Sequence, residues 1–87
     1  DFVLFLALLC RELDYSGKNF RDAIELATFD MAETESLLRQ SSKWEILEKT
    51  SVANFDDFIT TWHRKNVLTR AEGQFKFTKA VKLFFES

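Results

Sequence analysis

Proline is absent from this sequence, and only two of its 87 residues are glycine. A sandwich or barrel of many short strands needs frequent turns, which is where glycine and proline concentrate. Their scarcity therefore argues against an all-β fold. A hydrophobic fraction of 46%, with ten phenylalanines, supplies enough apolar surface for a core and argues against disorder. The composition predicts one small, mainly helical domain.

The sequence has one cysteine, Cys10, and one histidine, His63. One cysteine cannot form an internal disulfide or a cysteine-rich zinc site, so a reducing, intracellular compartment is expected. Cys10 lies in an apolar run, where burial raises the pKa of a thiol and lowers its reactivity. Ile59 and Val67 stand four residues from His63, where a second metal ligand would be needed. We therefore expect neither an enzyme nor a metal or cofactor site.

The apolar run from Phe2 to Cys10 is too short to cross a membrane. It covers about half of a bilayer core, which requires about 20 helical residues. It also lacks the basic start and the small-residue cleavage site of a signal peptide. We interpret it as a core helix, central to the domain or half covered by a partner, and expect no membrane association. Because the chain begins without methionine, we expect residues 1–87 to be a domain of a larger protein.

The formal net charge is −2, but its distribution is uneven. Residues 1–42 carry four basic and eight acidic side chains, whereas residues 43–87 carry eight basic and six acidic ones. An asymmetry of this kind orients a charged partner. It is smaller than the strong basic excess of a dedicated nucleic-acid-binding domain.

Apolar residues recur at helical spacing along most of the chain. Gly17 is expected to end a first helix, and Asn19 to cap a second. Asp30 with Glu33, and Ser42 with Glu45, have the spacing of capping boxes that begin a third and a fourth helix. The predicted helices cover residues 2–13, 19–28, a segment after Asp30, a segment with Trp44 and Leu47 after a break, residues 54–66 and residues 79–86.

The spacing of apolar residues changes between residues 54 and 77. Phe55, Phe58, Ile59 and Trp62 follow the spacing of one buried helical stripe. After Gly73, apolar and polar residues alternate, which indicates a half-buried strand that leaves a turn. We therefore predict a helix followed directly by a two-stranded hairpin between residues 68 and 78.

A helix that leads into a short hairpin, with a further helix after it, resembles the C-terminal half of a winged-helix domain. This resemblance concerns architecture, since no sequence-specific motif accompanies it. It implies a fold that is mainly α, with four or five helices and a two-stranded wing. A short first strand would also be required, and Phe29 is the one candidate for it.

The resemblance implies that residues 54–66 form a recognition helix that contacts duplex DNA. The expected contacts are Asn54, Thr61, Arg64 and Lys65 on the helix, and Arg70 and Lys76 beside the wing. Asn and Arg are the usual readers of adenine and guanine edges. Three carboxylates oppose this reading, because Asp56, Asp57 and Glu72 occupy the first turn of the helix and the tip of the wing, where phosphates repel them.

A protein partner is the alternative to DNA. Winged-helix domains also serve as docking or dimerisation modules, and a fold does not assign a function. The aromatic content, the acidic first half and the apolar first helix suit docking. Trp44, which lies among charged residues, is the candidate anchor if it is exposed. Its spacing to Leu47 is equally that of an ordinary core residue.

Overall fold

The chain folds into several helices and three short strands, and the strands form one small antiparallel sheet. The computed structural model describes residues 2–13 and 20–84. The elements are α1 (Phe2–Glu12), α2 (Phe20–Leu26), β1 (Thr28–Asp30), α3 (Met31–Arg39), α4 (Trp44–Leu47), α5 (Phe55–Arg64), β2 (Leu68–Ala71) and β3 (Gln74–Phe77), with 3₁₀-helices at Ser51–Ala53 and Lys79–Phe84. The prediction of a mainly helical domain with a small hairpin is confirmed. No helix in the described part is long and apolar enough to cross a bilayer.

The start of α3 follows the predicted capping pattern. The Asp30 carboxylate accepts a 2.9 Å hydrogen bond from the backbone N–H of Glu33. This bond satisfies one of the free N–H groups at the helix N-terminus.

The start of α4 differs from the prediction. The chain does break after α3, but Ser42 does not cap the next helix, because Lys43 occupies the N-cap position without a side-chain hydrogen bond. Ser41, which is buried, instead accepts from the backbone N–H of Lys43 at 3.1 Å. The turn after α3 places Ser41 there, since its own N–H donates to the carbonyl of Leu38.

Three other predicted features fall wholly or partly on residues that are not described. Gly17 as a helix stop and Asn19 as a cap both lie outside the described residues. The last helix is a 3₁₀-helix over Lys79–Phe84, and residues 85–87 lie outside the description. Thr78 begins this helix, because its hydroxyl accepts from the N–H of Ala80 at 3.2 Å and donates to the carbonyl of Asn66 at 2.7 Å.

The sheet has three strands in the order β1-β3-β2, all antiparallel. The predicted hairpin is the pair β2–β3, in which Leu68 faces Phe77 across the ladder. The third strand is β1, where Phe29 pairs with Phe75. The two-stranded wing of the prediction is therefore part of a larger sheet, and the buried side chains of this sheet are Phe29, Phe75, Phe77 and Leu68.

The hairpin turn needs two residues in the left-handed region of backbone space. Glu72 has φ 46° and Gly73 has φ 77°, which is typical of the two-residue type I′ turn. The carbonyl of Gly73 accepts a 2.8 Å hydrogen bond from the N–H of Met31. This contact ties the turn to the start of α3.

The end of α5 is a Schellman motif. Asn66 has φ 62°, and its N–H donates to the carbonyl of His63 at 3.0 Å. The N–H of Val67 donates to the carbonyl of Trp62 at 3.1 Å. These two bonds satisfy carbonyls that the helix end would leave free and turn the chain into β2.

Aromatic side chains fill the core between α1, α5 and the sheet. In the predicted stripe of α5, Phe55, Phe58 and Ile59 are buried and Trp62 is half-buried. Phe2 lies 4.3 Å from the ring of Trp62 and Phe5 lies 5.1 Å from that of Phe58, measured between ring centres. Packing of this kind fixes the positions of α5 and the sheet, and hence of the surface they present.

Candidate functional site

Two of the polar side chains predicted to contact DNA bind their own helix. The Asn54 amide donates to the Asp57 carboxylate at 2.8 Å, and the Thr61 hydroxyl donates to the Asp57 carbonyl at 2.9 Å. Both side chains are exposed. A base edge would have to compete with these bonds, so neither group is free to read sequence without rearrangement.

Arg70 lies on β2 but reaches across to the first half of α5. Its guanidinium donates to the hydroxyl of Thr60 at 2.7 Å and forms an ion pair with the carboxylate of Asp56. The charge that was expected to contact a phosphate is therefore balanced within the domain. The same contacts hold the hairpin against α5.

Three of the predicted basic contacts remain exposed: Arg64, Lys65 and Lys76. The Lys65 ammonium lies 4.6 Å from the ring centre of Trp62, in a cation–π arrangement. Lys76 lies on the solvent side of β3, in register with Thr28 and Thr69 on the flanking strands.

The surface of α5 and the hairpin thus mixes both charges. Asp56 and Asp57 lie in the first turn of α5, and Glu72 lies in the exposed hairpin turn. Carboxylates therefore occupy the N-terminal end of α5 and the tip of the hairpin. A continuous positive strip, as expected of a DNA-binding surface, is not formed by the described side chains of this face.

The two residues with reactive side chains stand in ordinary surroundings. Burial raises the pKa of the Cys10 thiol above its usual value. The ring Nδ1 of His63 lies 3.3 Å from the carbonyl of Leu68, next to the turn that follows α5. In residues 2–13 and 20–84, no three His, Cys, Asp or Glu side chains group in a way that could hold a metal ion.

Trp44 is half-buried and packs against the core. The guanidinium of Arg39 covers its ring at 4.9 Å from the ring centre. Arg39 is itself held by the carboxylate of Glu35 at 2.8 Å and by the carbonyl of Ala53 at 2.9 Å. Trp44 is therefore covered on one side by the core and on another by Arg39, and it does not stand out as an open anchor.

A groove with an apolar surface lies between α1 and α4. None of the site residues predicted from the sequence lines it. Its volume is about 300 Å³. Leu4 is 44% exposed and Ile46 is 51% exposed, whereas Leu8 and Leu47 are buried beneath them. The lining consists of Leu4, Ala7, Leu8 and Arg11 from α1, and Lys43, Ile46 and Leu47 at α4. We call this surface the α1–α4 groove.

Among the described residues, the lining of the α1–α4 groove has basic side chains and no acidic one. The Arg11 guanidinium lies 3.8 Å from the carboxylate of Glu12, and the Arg11 side chain is 59% exposed. Lys43 is exposed and forms no ion pair with any described residue. The sequence signal for this groove was the unusual helix α1, which is apolar on nearly all sides.

Comparison of the chain with protein-family models, with curated proteins and with solved structures found no match. The function must therefore be inferred from the surface of the domain itself.

Proposed function

We propose that this chain is a non-catalytic, winged-helix-like domain that docks another protein through the α1–α4 groove. The winged-helix part of the proposal is supported by the order of the elements. The short strand expected at Phe29 is β1, and α5 leads through Asn66 into the hairpin β2–β3.

The observation that carries the docking proposal is a contrast between two surfaces. On α5 and the hairpin, Arg70 is neutralised by Asp56, and Asn54 is bound by Asp57. In the α1–α4 groove, Leu4 and Ile46 remain exposed. Covering apolar side chains in a groove with a partner favours binding by about 25 cal/mol per Å² of buried apolar area. Docking of a protein segment therefore fits the domain better than docking of DNA.

Duplex DNA is the second candidate partner, and exposed cations favour it. Arg64 and Lys65 lie at the C-terminal end of α5, and Lys76 lies on the outer face of the sheet. These groups can contact phosphates. In this mode the helix would lie against the duplex without the base contacts expected of Asn54.

Parallel selections with peptides and DNA test the two candidates against each other. The immobilised chain is exposed to a phage-displayed library of random 16-residue peptides and, separately, to a pool of random duplexes at low salt. We expect enriched peptides whose binding is lost in Ile46→Asp and kept in the double variant Arg64→Glu/Lys65→Glu. Duplexes are expected not to be enriched.

Matched variants separate the groove from general surface effects. Leu83 is 69% exposed and lies outside the α1–α4 groove, so Leu83→Asp is the control for Leu4→Asp and Ile46→Asp. Circular dichroism checks that each variant is folded. The docking proposal is wrong if no peptide depends on the groove, or if Leu83→Asp weakens binding as much as Ile46→Asp does.

A further inference from the structure

We propose that the segment recognised by the α1–α4 groove is an acidic amphipathic helix. This inference rests on the proposed docking function and adds the chemistry of the partner: apolar side chains on one face of a helix, with carboxylates beside them.

The shape of the groove fits side chains from one helical face. Along α1, the lining residues Leu4, Ala7, Leu8 and Arg11 follow the spacing of a single stripe. Leu4 and Arg11 are seven positions apart, so the stripe is about 10 Å long. A partner helix laid along it would present about two turns, with anchors at positions such as i, i+3 or i+4, and i+7.

The size of the groove favours a segment over a whole folded surface. Its volume of about 300 Å³ lies at the lower end of the range for ligand-sized pockets. A few aliphatic side chains from a peptide can fill it. Leu4 and Ile46 form the exposed walls, and Leu8 and Leu47 form the buried floor.

The charge of the lining selects the partner's polar residues. Arg11 and Lys43 both line the groove, and no carboxylate of residues 2–13 or 20–84 does. Among the described residues, Glu12 lies within ion-pair distance of Arg11, at 3.8 Å, and the Arg11 side chain is 59% exposed. A long pair with an exposed partner contributes little. Carboxylates on the partner would face both cations, whereas lysines would be repelled by them.

Matched peptides test the charge preference. The starting point is a selected peptide whose binding depends on the groove. Its apolar residues are kept, and the positions that flank them are made all Glu, all Gln or all Lys. We expect the Glu peptide to bind about fivefold more tightly than the Gln peptide, and the Lys peptide to bind more weakly still. Fluorescence anisotropy of labelled peptides gives the three dissociation constants. The preference is expected to shrink in high salt, because the charges are exposed.

Charge reversal on the domain supplies the decisive control. In Lys43→Glu, and more strongly in Arg11→Glu/Lys43→Glu, the order of the Glu and Lys peptides is expected to invert. Lys76→Glu changes the net charge by the same amount as Lys43→Glu but lies on the sheet, so it should leave the order unchanged. Equal inversion by Lys76→Glu would overturn the inference.

Other outcomes separate this inference from the docking function. Peptides that need Ile46 but bind equally well with Glu, Gln or Lys would overturn the acidic partner and leave docking intact. A dimer in analytical ultracentrifugation that is lost in Leu4→Asp would assign the groove to a second copy of the chain and overturn the inference. An absence of groove-dependent peptides would overturn both proposals.

Discussion

The Arg70 guanidinium donates a 2.7 Å hydrogen bond to the hydroxyl of Thr60, and this contact joins the second strand to α5. The ion pair with Asp56 adds to it at the first turn of the helix. Arg70 is thereby a structural residue of the helix–hairpin junction. The contacts that hold the hairpin against α5 are thus the same contacts that engage this guanidinium within the domain.

Replacing Arg70 tests this structural role. Arg70→Ala removes a charged donor from a half-buried hydroxyl, so we expect the free energy of unfolding to fall by about 1–2 kcal/mol. Urea unfolding followed by circular dichroism measures the change. The matched control is Arg64→Ala, in which an exposed arginine is removed from the same face, with an expected change within about 0.5 kcal/mol. Equal losses in both variants would show that Arg70 has no special role.

The hairpin turn can be improved at Glu72. A non-glycine residue at φ 46° is strained, and asparagine tolerates this region better than glutamate. We expect Glu72→Asn to raise the free energy of unfolding by about 0.5 kcal/mol. Gly73→Ala is expected to lower the free energy of unfolding by about 1 kcal/mol, because alanine at φ 77° is unfavourable. Thermal melts of both variants measure the two changes. Unchanged melting temperatures in both would show that the turn tolerates any residue.

Asn66 ends α5 in the left-handed region, and its substitutions should follow backbone preference. Asn66→Gly is expected to keep or slightly raise the melting temperature. Asn66→Val introduces a β-branched side chain at φ 62° and should cost more than 1 kcal/mol. If valine were tolerated as well as glycine, the Schellman motif would not limit the stability of the α5–β2 junction.

The thiol of Cys10 should react slowly in the folded domain. Burial raises its pKa, so a smaller fraction is thiolate at any given pH than in the unfolded chain. The pH midpoint of iodoacetamide modification is expected to lie higher for the native protein than for the protein in urea. A raised thiol pKa also means that stability is lost as the pH rises above the pKa of the unfolded thiol. Coincident midpoints would contradict both expectations.

Local signals in the sequence were sufficient for much of the fold. The stripe from Phe55 to Trp62 and the change of period after Asn66 predict α5 and the hairpin because periodicity reports directly which face is buried. The cap at Asp30 is equally local. In contrast, β1 has three residues and one buried side chain, Phe29, so its pairing with β3 decides its conformation.

The surface could not be predicted in the same way. The pairing of Arg70 with Asp56 joins residues 14 positions apart, and the α1–α4 groove combines Leu4 with Ile46 from distant parts of the chain. Such contacts depend on how elements pack, which no local pattern encodes. The spacing of the apolar stripe predicts that Asn54 is exposed, as it is. The hydrogen bond from its amide to Asp57, which would compete with a base contact, was not predictable from that spacing.

Duplex binding by the chain tests most directly the central choice of a protein, and not DNA, as the partner. A labelled 20-base-pair duplex is titrated with the chain at about 50 and 200 mM salt, alongside Arg64→Glu/Lys65→Glu. We predict no affinity tighter than roughly 10⁻⁴ M at either salt concentration, and no effect of the charge reversal. Submicromolar binding at low salt that weakens steeply with added salt, and that the double variant abolishes, would contradict the proposal and assign the domain to DNA.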